Sequence, residues 1–133
     1  MMKKEKFEEI IAGYHKREQA LLQSKATDYA AEEDRLLNFN QVAELLDCSP
    51  EYVACVFWLK HVQSIMNIVR KGISPDVWCY VKEDGSEGLK QKLLDARNYI
   101  PLIHACIEQS QPLPPPGAEE AKEDGVLGQG ATD

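Results

Sequence analysis

The stretch from Ser49-Pro50 to Gly72 constrains the fold most. Ser is a strong helix cap, and Pro at the first helical position loses no hydrogen bond. Gly72 supplies the stop, with Arg70 and Lys71 in the last turn, where the helix dipole favours cations. The spacing predicts a helix over about 50–71. Its first half, Val53-Ala54-Cys55-Val56-Phe57-Trp58-Leu59, is apolar all round. A helix of that kind is buried on several sides. In a chain of 133 residues it is either a central helix or part of a subunit interface. Three or four helices cannot easily cover all of it, and a large exposed apolar patch is a liability. A two-fold homodimer is therefore expected.

The flanking segments are also helical. Phe7, Ile10, Ile11, Tyr14, Leu21 and Leu22 recur at three- and four-residue steps, which predicts an amphipathic helix over 3–24. Residues 26–39 read as a connecting segment, since Thr27 and Asp28 suit a helix end better than an interior. Asn38 or Asn40 is a candidate cap for a short helix over about 40–47. In 72–86, Val77–Val81 fits a short strand and an apolar flap equally well, and Glu83-Asp84-Gly85 reads as a turn. A last helix is expected over about 86–109, with Ser86 as its cap. Leu89, Leu93, Ala96, Ile100, Ile103 and Ile107 form its packing seam, and Pro101 should kink it just after Tyr99.

The fold class that follows is all-α: a compact helical bundle of three long helices plus one or two short ones. Residues 1–110 form the helical domain. Residues 111–133, Pro-rich and then acidic and Gly-rich, read as a disordered tail. The formal net charge is -7. Glu119, Glu120, Glu123, Asp124 and Asp133 against Lys122 put much of it in that tail. Neither part is basic, so duplex nucleic acid is not an expected partner. The Lys/Glu-rich start has no apolar signal region, and no run is long enough to span a membrane. The expectation is a soluble cytoplasmic protein. Cys48, Cys55, Cys79 and Cys106 form no CxxC pair, and the reading is reduced, structural thiols.

Polar groups on apolar helix stripes mark the candidate site. Helix 50–71 places Lys60 on the stripe of Val53, Phe57 and Ser64, with His61 one position over. A lysine there snorkels to water or finds a partner. The last helix places Asp95 on the stripe of Tyr99, Leu102 and Cys106, with Asn98 beside it. Asp has no cap to make in mid-helix. It either pairs with Lys92 or Lys60, or it lines a pocket. Glu87, two turns upstream, shares its side. Lys25, Asp28 and Tyr29 stand together at the start of the connecting segment, and Asn38-Phe39 at its end.

Taken in order, Lys25-x-x-Asp28-Tyr29, Asn38-Phe39, Lys60-His61 and Asp95-x-x-Asn98-Tyr99 form a KxxDY…NF…KH…DxxNY pattern. It resembles a family of small phage and prophage proteins. That family is similar to the all-α MazG-like nucleotide pyrophosphohydrolases and to phage nucleotide-modification-associated domains. The resemblance covers roughly residues 5–108. It implies a dimeric all-α domain that handles nucleotides, located in the host-cell cytoplasm if phage-encoded. In MazG-like enzymes, acids of the type ExxE and ExxD on two helices hold magnesium against the phosphates. Here Asp95 matches the last acid, but Lys92 stands three before it, Gln91 precedes that, and helix 50–71 has no acid past Glu51. The implied metal ligands are Asp95, Glu87 and Asp28, with Mg2+ as cofactor.

Two functions follow from the resemblance. One is a magnesium-dependent nucleotide pyrophosphohydrolase. Lys25 and Lys60 would meet phosphate, Tyr29 or Phe39 would stack a base, and Asn38 or Asn98 would read its edge, with His61 beside them. The other is a binder without chemistry, which sequesters a nucleotide or signalling molecule or docks on a host protein. A purely structural protein, in which Lys60 and Asp95 merely pair, is the third possibility.

The tail generates one test. Its composition cannot bury enough apolar surface to offset ordering. Deleting 112–133 should leave the melting temperature within about 2 °C, because 1 kcal/mol moves a domain of this size by several degrees. A fall of 5 °C or more, roughly 1 kcal/mol on that scale, would show the tail docked on the body.

Overall fold

A computed structural model of the chain describes residues 1–28, 36–112 and 114, and for 21–28 the backbone alone. Among the described residues it is all-helical: α1 (Lys4–Asp28), α2 (Leu37–Leu46), α3 (Pro50–Lys71) and α4 (Leu89–Ser110). None of these helices is long and apolar enough to cross a membrane. The proposed tail lies almost wholly outside the described residues.

α3 starts and stops as its residues dictate. The Ser49 hydroxyl accepts from the Tyr52 N–H at 3.3 Å, and Pro50 follows the cap. Gly72 ends the helix at φ 98°, a conformation that glycine adopts without a Cβ penalty. Glu51 occupies the first turn. Its carboxyl lies below the usual carboxylate range, held there by its own backbone N–H and helped by hydrogen bonds from Ser110, Gln111 and Ser49.

Three boundaries differ from the sequence reading. α1 runs on to Asp28, so Lys25 and Asp28 belong to its last turns rather than to a connecting loop. α2 begins at Leu37, and Leu36 precedes it without a side-chain hydrogen bond. Asn38 and Asn40 therefore sit inside α2 and not at its cap position. Asn40 instead accepts from Gln109 Nε2 of α4 at 2.7 Å. The third difference is α4, which begins at Leu89 and not at Ser86. Ser86 is spent on the preceding turn, where its N–H donates to the Asp84 carboxylate at 2.9 Å.

The segment between α3 and α4 is neither strand nor helix. It is a chain of turns with one backbone bridge, Val81 to Glu87. Its carbonyls do the capping that Ser86 does not. Leu89 N–H donates to Val77 O at 2.8 Å, and Lys90 N–H to Cys79 O at 3.1 Å. These are N–H groups of the first turn, which have no partner within a helix.

The core sits where α2, α3 and α4 meet. Leu36, Phe39, Ala43, Val53, Ala54 and Cys106 are buried there, with Phe57, Tyr99 and Leu102 packed against them. α3 and α4 make the most extensive pairing, and α1 touches little beyond α4. The expected α4 seam holds at Leu89, which is buried, and at Ile103, which packs against the core cluster. Ile100 and Ile107 are exposed, whereas Leu94 and Cys106 are buried. Tyr99, Leu102 and Cys106 of the neighbouring stripe also pack in the core. α4 runs through Pro101 to Ser110 without a break. None of the four cysteines forms a disulfide among the described residues, and Cys106 is buried.

Among the described residues, Gly88 is the one glycine whose missing side chain is required by a close approach. A Cβ on it would overlap the Cys79 carbonyl, the same oxygen that receives the Lys90 N–H. Gly88→Ala should cost about 1–3 kcal/mol, as an overpacked site does. Chemical denaturation would read this directly, and an unchanged midpoint would show that the segment can give way at no cost.

Candidate functional site

The motif blocks that the structure describes converge on Tyr99. The His61 ring of α3 lies against the Tyr99 ring of α4, with centroids 4.9 Å apart and planes tilted by 43°. Phe39 of α2 meets Tyr99 edge-on at 6.2 Å and Phe57 at 5.8 Å. Edge-to-face and tilted pairs in this range are favourable beyond their buried area. One residue from each of three sequence-distant blocks is thus in ring contact, or one ring away from it.

Asp95 stands one turn before Tyr99 and is half-buried. Its carboxylate accepts from Gln91 Nε2 at 2.9 Å. Among the described residues it forms an ion pair with neither Lys60 nor Lys92. Burial raises the Tyr99 hydroxyl above the ordinary tyrosine range, and the Asp95 charge raises it further. The carboxylate therefore lies close enough to oppose a phenolate. Asn98, next to Tyr99, is half-buried.

Other candidates lie elsewhere. Lys60 is exposed, with its ammonium 5.4 Å from the Phe57 ring centre. Its stem covers apolar surface while its head meets water, which is the snorkelling arrangement. Phe39 is only 7% exposed, so its ring supports the core and offers no free face to a base. Asn38 is exposed on α2. Glu87 is exposed and precedes α4, so it is not the upstream helical partner of Asp95. Lys25 and Asp28 are placed by their backbone only, and Tyr29 lies outside the described residues.

The expected enclosed pocket does not coincide with the surface grooves. One groove runs along the outer face of α3, past Leu59, Lys60, Gln63, Met66 and Arg70. Another follows the first half of α1, past Phe7, Ile11 and His15. Among the described residues no three His, Cys, Asp or Glu side chains are grouped to hold a metal ion. Asp95 already shares its carboxylate with an amide. Of the other implied ligands, Glu87 is exposed before α4 and the Asp28 side chain lies outside the described residues.

Sequence reasoning passed over the contacts that hold α1. Arg97 Nε donates to Glu18 Oε1 at 2.7 Å, and its guanidinium lies 5.0 Å from the Tyr14 ring centre. Arg17 stacks on the Tyr80 ring at 3.3 Å. These pairs join residues more than sixty positions apart, and nothing in their local sequence marks them as partners. Arg97 does sit inside the Asp95–Tyr99 block, which is the only hint it gives. No family model, curated protein or solved structure matches the chain.

The tyrosines generate a pH test. Burial also raises the Tyr14 hydroxyl, with a further push from Tyr80 that Arg97 opposes. A tyrosine whose folded-state value is raised keeps its proton when the unfolded chain loses it. Stability is then intact below about pH 10, the unfolded value, and falls as pH rises above it. Thermal melts at increasing alkalinity should show that fall, and Tyr99→Phe should shrink it without abolishing it. A Tyr99→Phe curve parallel to the native one would remove Tyr99 as a source.

Proposed function

We propose that the chain is a nucleotide-handling protein of the phage type its motif blocks resemble. In this reading it acts as a binder that holds a nucleotide or nucleotide-like small molecule where α3 and α4 meet, and it works as a two-fold dimer. The observation that carries the ligand site is the convergence of Phe39, His61 and the Asp95–Tyr99 block on one cluster of rings. Residues drawn from three helices for packing alone need not include a half-buried carboxylate and a histidine.

In this reading a planar base lies against the His61–Tyr99 edge. Asp95 and Asn98 offer an acceptor and an amide to its polar rim. Lys60, exposed on the same helix as His61, meets phosphate as a compact point charge. Lys25, Asp28 and Tyr29 enter through the motif resemblance alone. Pyrophosphate hydrolysis with magnesium is the corresponding catalytic reading. We favour binding because Lys92 stands three before Asp95, where the ExxD pattern of the MazG-like enzymes has an acid.

The dimer rests on the small core. Only eight hydrophobic residues among those described are buried, and large apolar side chains stand exposed on α1, α2 and α3. A second copy would remove such surface from water.

A thermal-shift screen over nucleotides, with and without magnesium, tests the reading. A ligand at 100 times its dissociation constant adds about 2.7 kcal/mol to folded-state stability. Asp95→Asn should keep the native melting temperature and lose that response. If Asp95→Asn is instead destabilised by roughly 3–5 kcal/mol and the pair Asp95→Leu with Lys60→Met recovers it, Asp95 is a structural charge. A stable, fully responsive Asp95→Asn would take Asp95 out of the site. Magnesium-dependent release of pyrophosphate would turn the reading to the hydrolase.

A further inference from the structure

α3 carries a second apolar seam on the face turned away from its own core. Tyr52, Leu59, Met66 and Ile73 stand at seven-residue intervals, and Cys55, Val62 and Val69 repeat the interval three residues on. This is an a/d heptad register sustained for three repeats, with all but Ile73 inside the helix. Tyr52, Leu59, Met66, Val69 and Ile73 are each more than half exposed. The core of the same chain uses other positions of α3, among them Val53, Ala54 and Phe57. A helix packed once into its own bundle needs one apolar stripe. A second stripe with a 3.5-residue period is the pattern that keeps a seam facing another helix.

We infer that the outer seam of α3 packs antiparallel against the same seam of a second copy of this chain. This rests on the dimer half of the function proposed above and is independent of the nucleotide half. The charges select the direction. α3 has Glu51 in its first turn, and Arg70 and Lys71 in its last. Parallel pairing would set Arg70 and Lys71 beside their own copies and would align the two helix dipoles. Antiparallel pairing keeps the two basic ends apart, and the dipoles oppose. One register aligns the apolar layers. In it Leu59 faces the partner's Val62, Cys55 the partner's Met66, and Tyr52 the partner's Val69. The groove beside the seam is lined by Val56 and Gln63, with Lys60 and Arg70 at its edge.

Light scattering on the full chain at micromolar concentration should give about twice the 15.0 kDa of one chain. Met66→Glu puts a charge into the seam at a position exposed in the single chain, so the fold should survive, as circular dichroism would show. That variant should run at the one-chain mass and keep whatever nucleotide response the native protein has. A native mass of one chain would overturn the inference, and so would a dimer that persists in Met66→Glu, which would place the contact on another face such as α1. Direction is read separately with Met66→Cys under oxidised glutathione. Antiparallel pairing links Cys55 to the new thiol of the other copy, as peptide mapping would show. A link from Cys55 to Cys55 would mean parallel pairing and would equally overturn the inference.

Discussion

The close approach of α3 to α4 is the contact on which the rest of the structure depends. It is made possible by small residues. Ala54 on α3 and Cys106 on α4 are both fully buried in the same cluster. Small side chains let two helix backbones come near, and the larger rings of Phe57, Tyr99 and Phe39 then fill the space to either side. α2 is held because Phe39 reaches into this seam and because Asn40 pairs with Gln109. A bulky residue at position 54 would separate the helices and, with them, the His61–Tyr99 contact. The candidate site is therefore a consequence of core packing and not an addition to it.

α1 depends on α4 differently. Its described contacts are the Arg97–Glu18 pair and the stacking of Arg17 and Arg97 on tyrosine rings. Partly exposed ion pairs contribute about 0–1 kcal/mol, and a cation over an exposed ring about 0.5–1 kcal/mol. In its first half, Phe7 and Ile10 remain exposed. α1 is thus tied at its middle by polar contacts while its apolar first half is uncovered. This arrangement and the outer seam of α3 share one cause: the chain carries more apolar helix surface than three mutually packed helices can cover.

What was legible in the sequence follows from how local each signal is. The bounds of α3 could be read because Ser49, Pro50 and Gly72 act within a few residues of the backbone groups they satisfy. The start of α4 was misread because Ser86 looks like a cap, whereas the capping atoms are carbonyls of Val77 and Cys79, supplied by a turn. The α4 seam is legible only in part, at Leu89 and Ile103 but not at Ile100 and Ile107, because two stripes of similar apolarity run along that helix. Only the approach of α3 decides between them. In the site, His61, Asp95 and Tyr99 were placed together by their motif blocks. The role of Phe39 was misjudged, because an aromatic that stacks on a ligand and one that fills a core look alike in sequence. The docking of Glu18 on Arg97 had no local signature at all.

Tyr99 ties these strands together. It is packed against the core cluster through Phe39, touches His61, and feels the charge of Asp95. A change at Asp95 or His61 therefore reaches the core through one ring, and a change in the core reaches the site by the same route. Loss of binding in a variant at these positions has two possible origins, a missing ligand contact or a shifted Tyr99. The titration of Tyr99 separates them. A variant that loses only a ligand contact leaves Tyr99 buried and its hydroxyl still raised. A variant that moves the ring releases it to water, and its alkaline transition drops toward that of a free tyrosine. Because Asp95 itself contributes to the elevation, Asp95→Asn should lower the transition in part while the burial contribution remains.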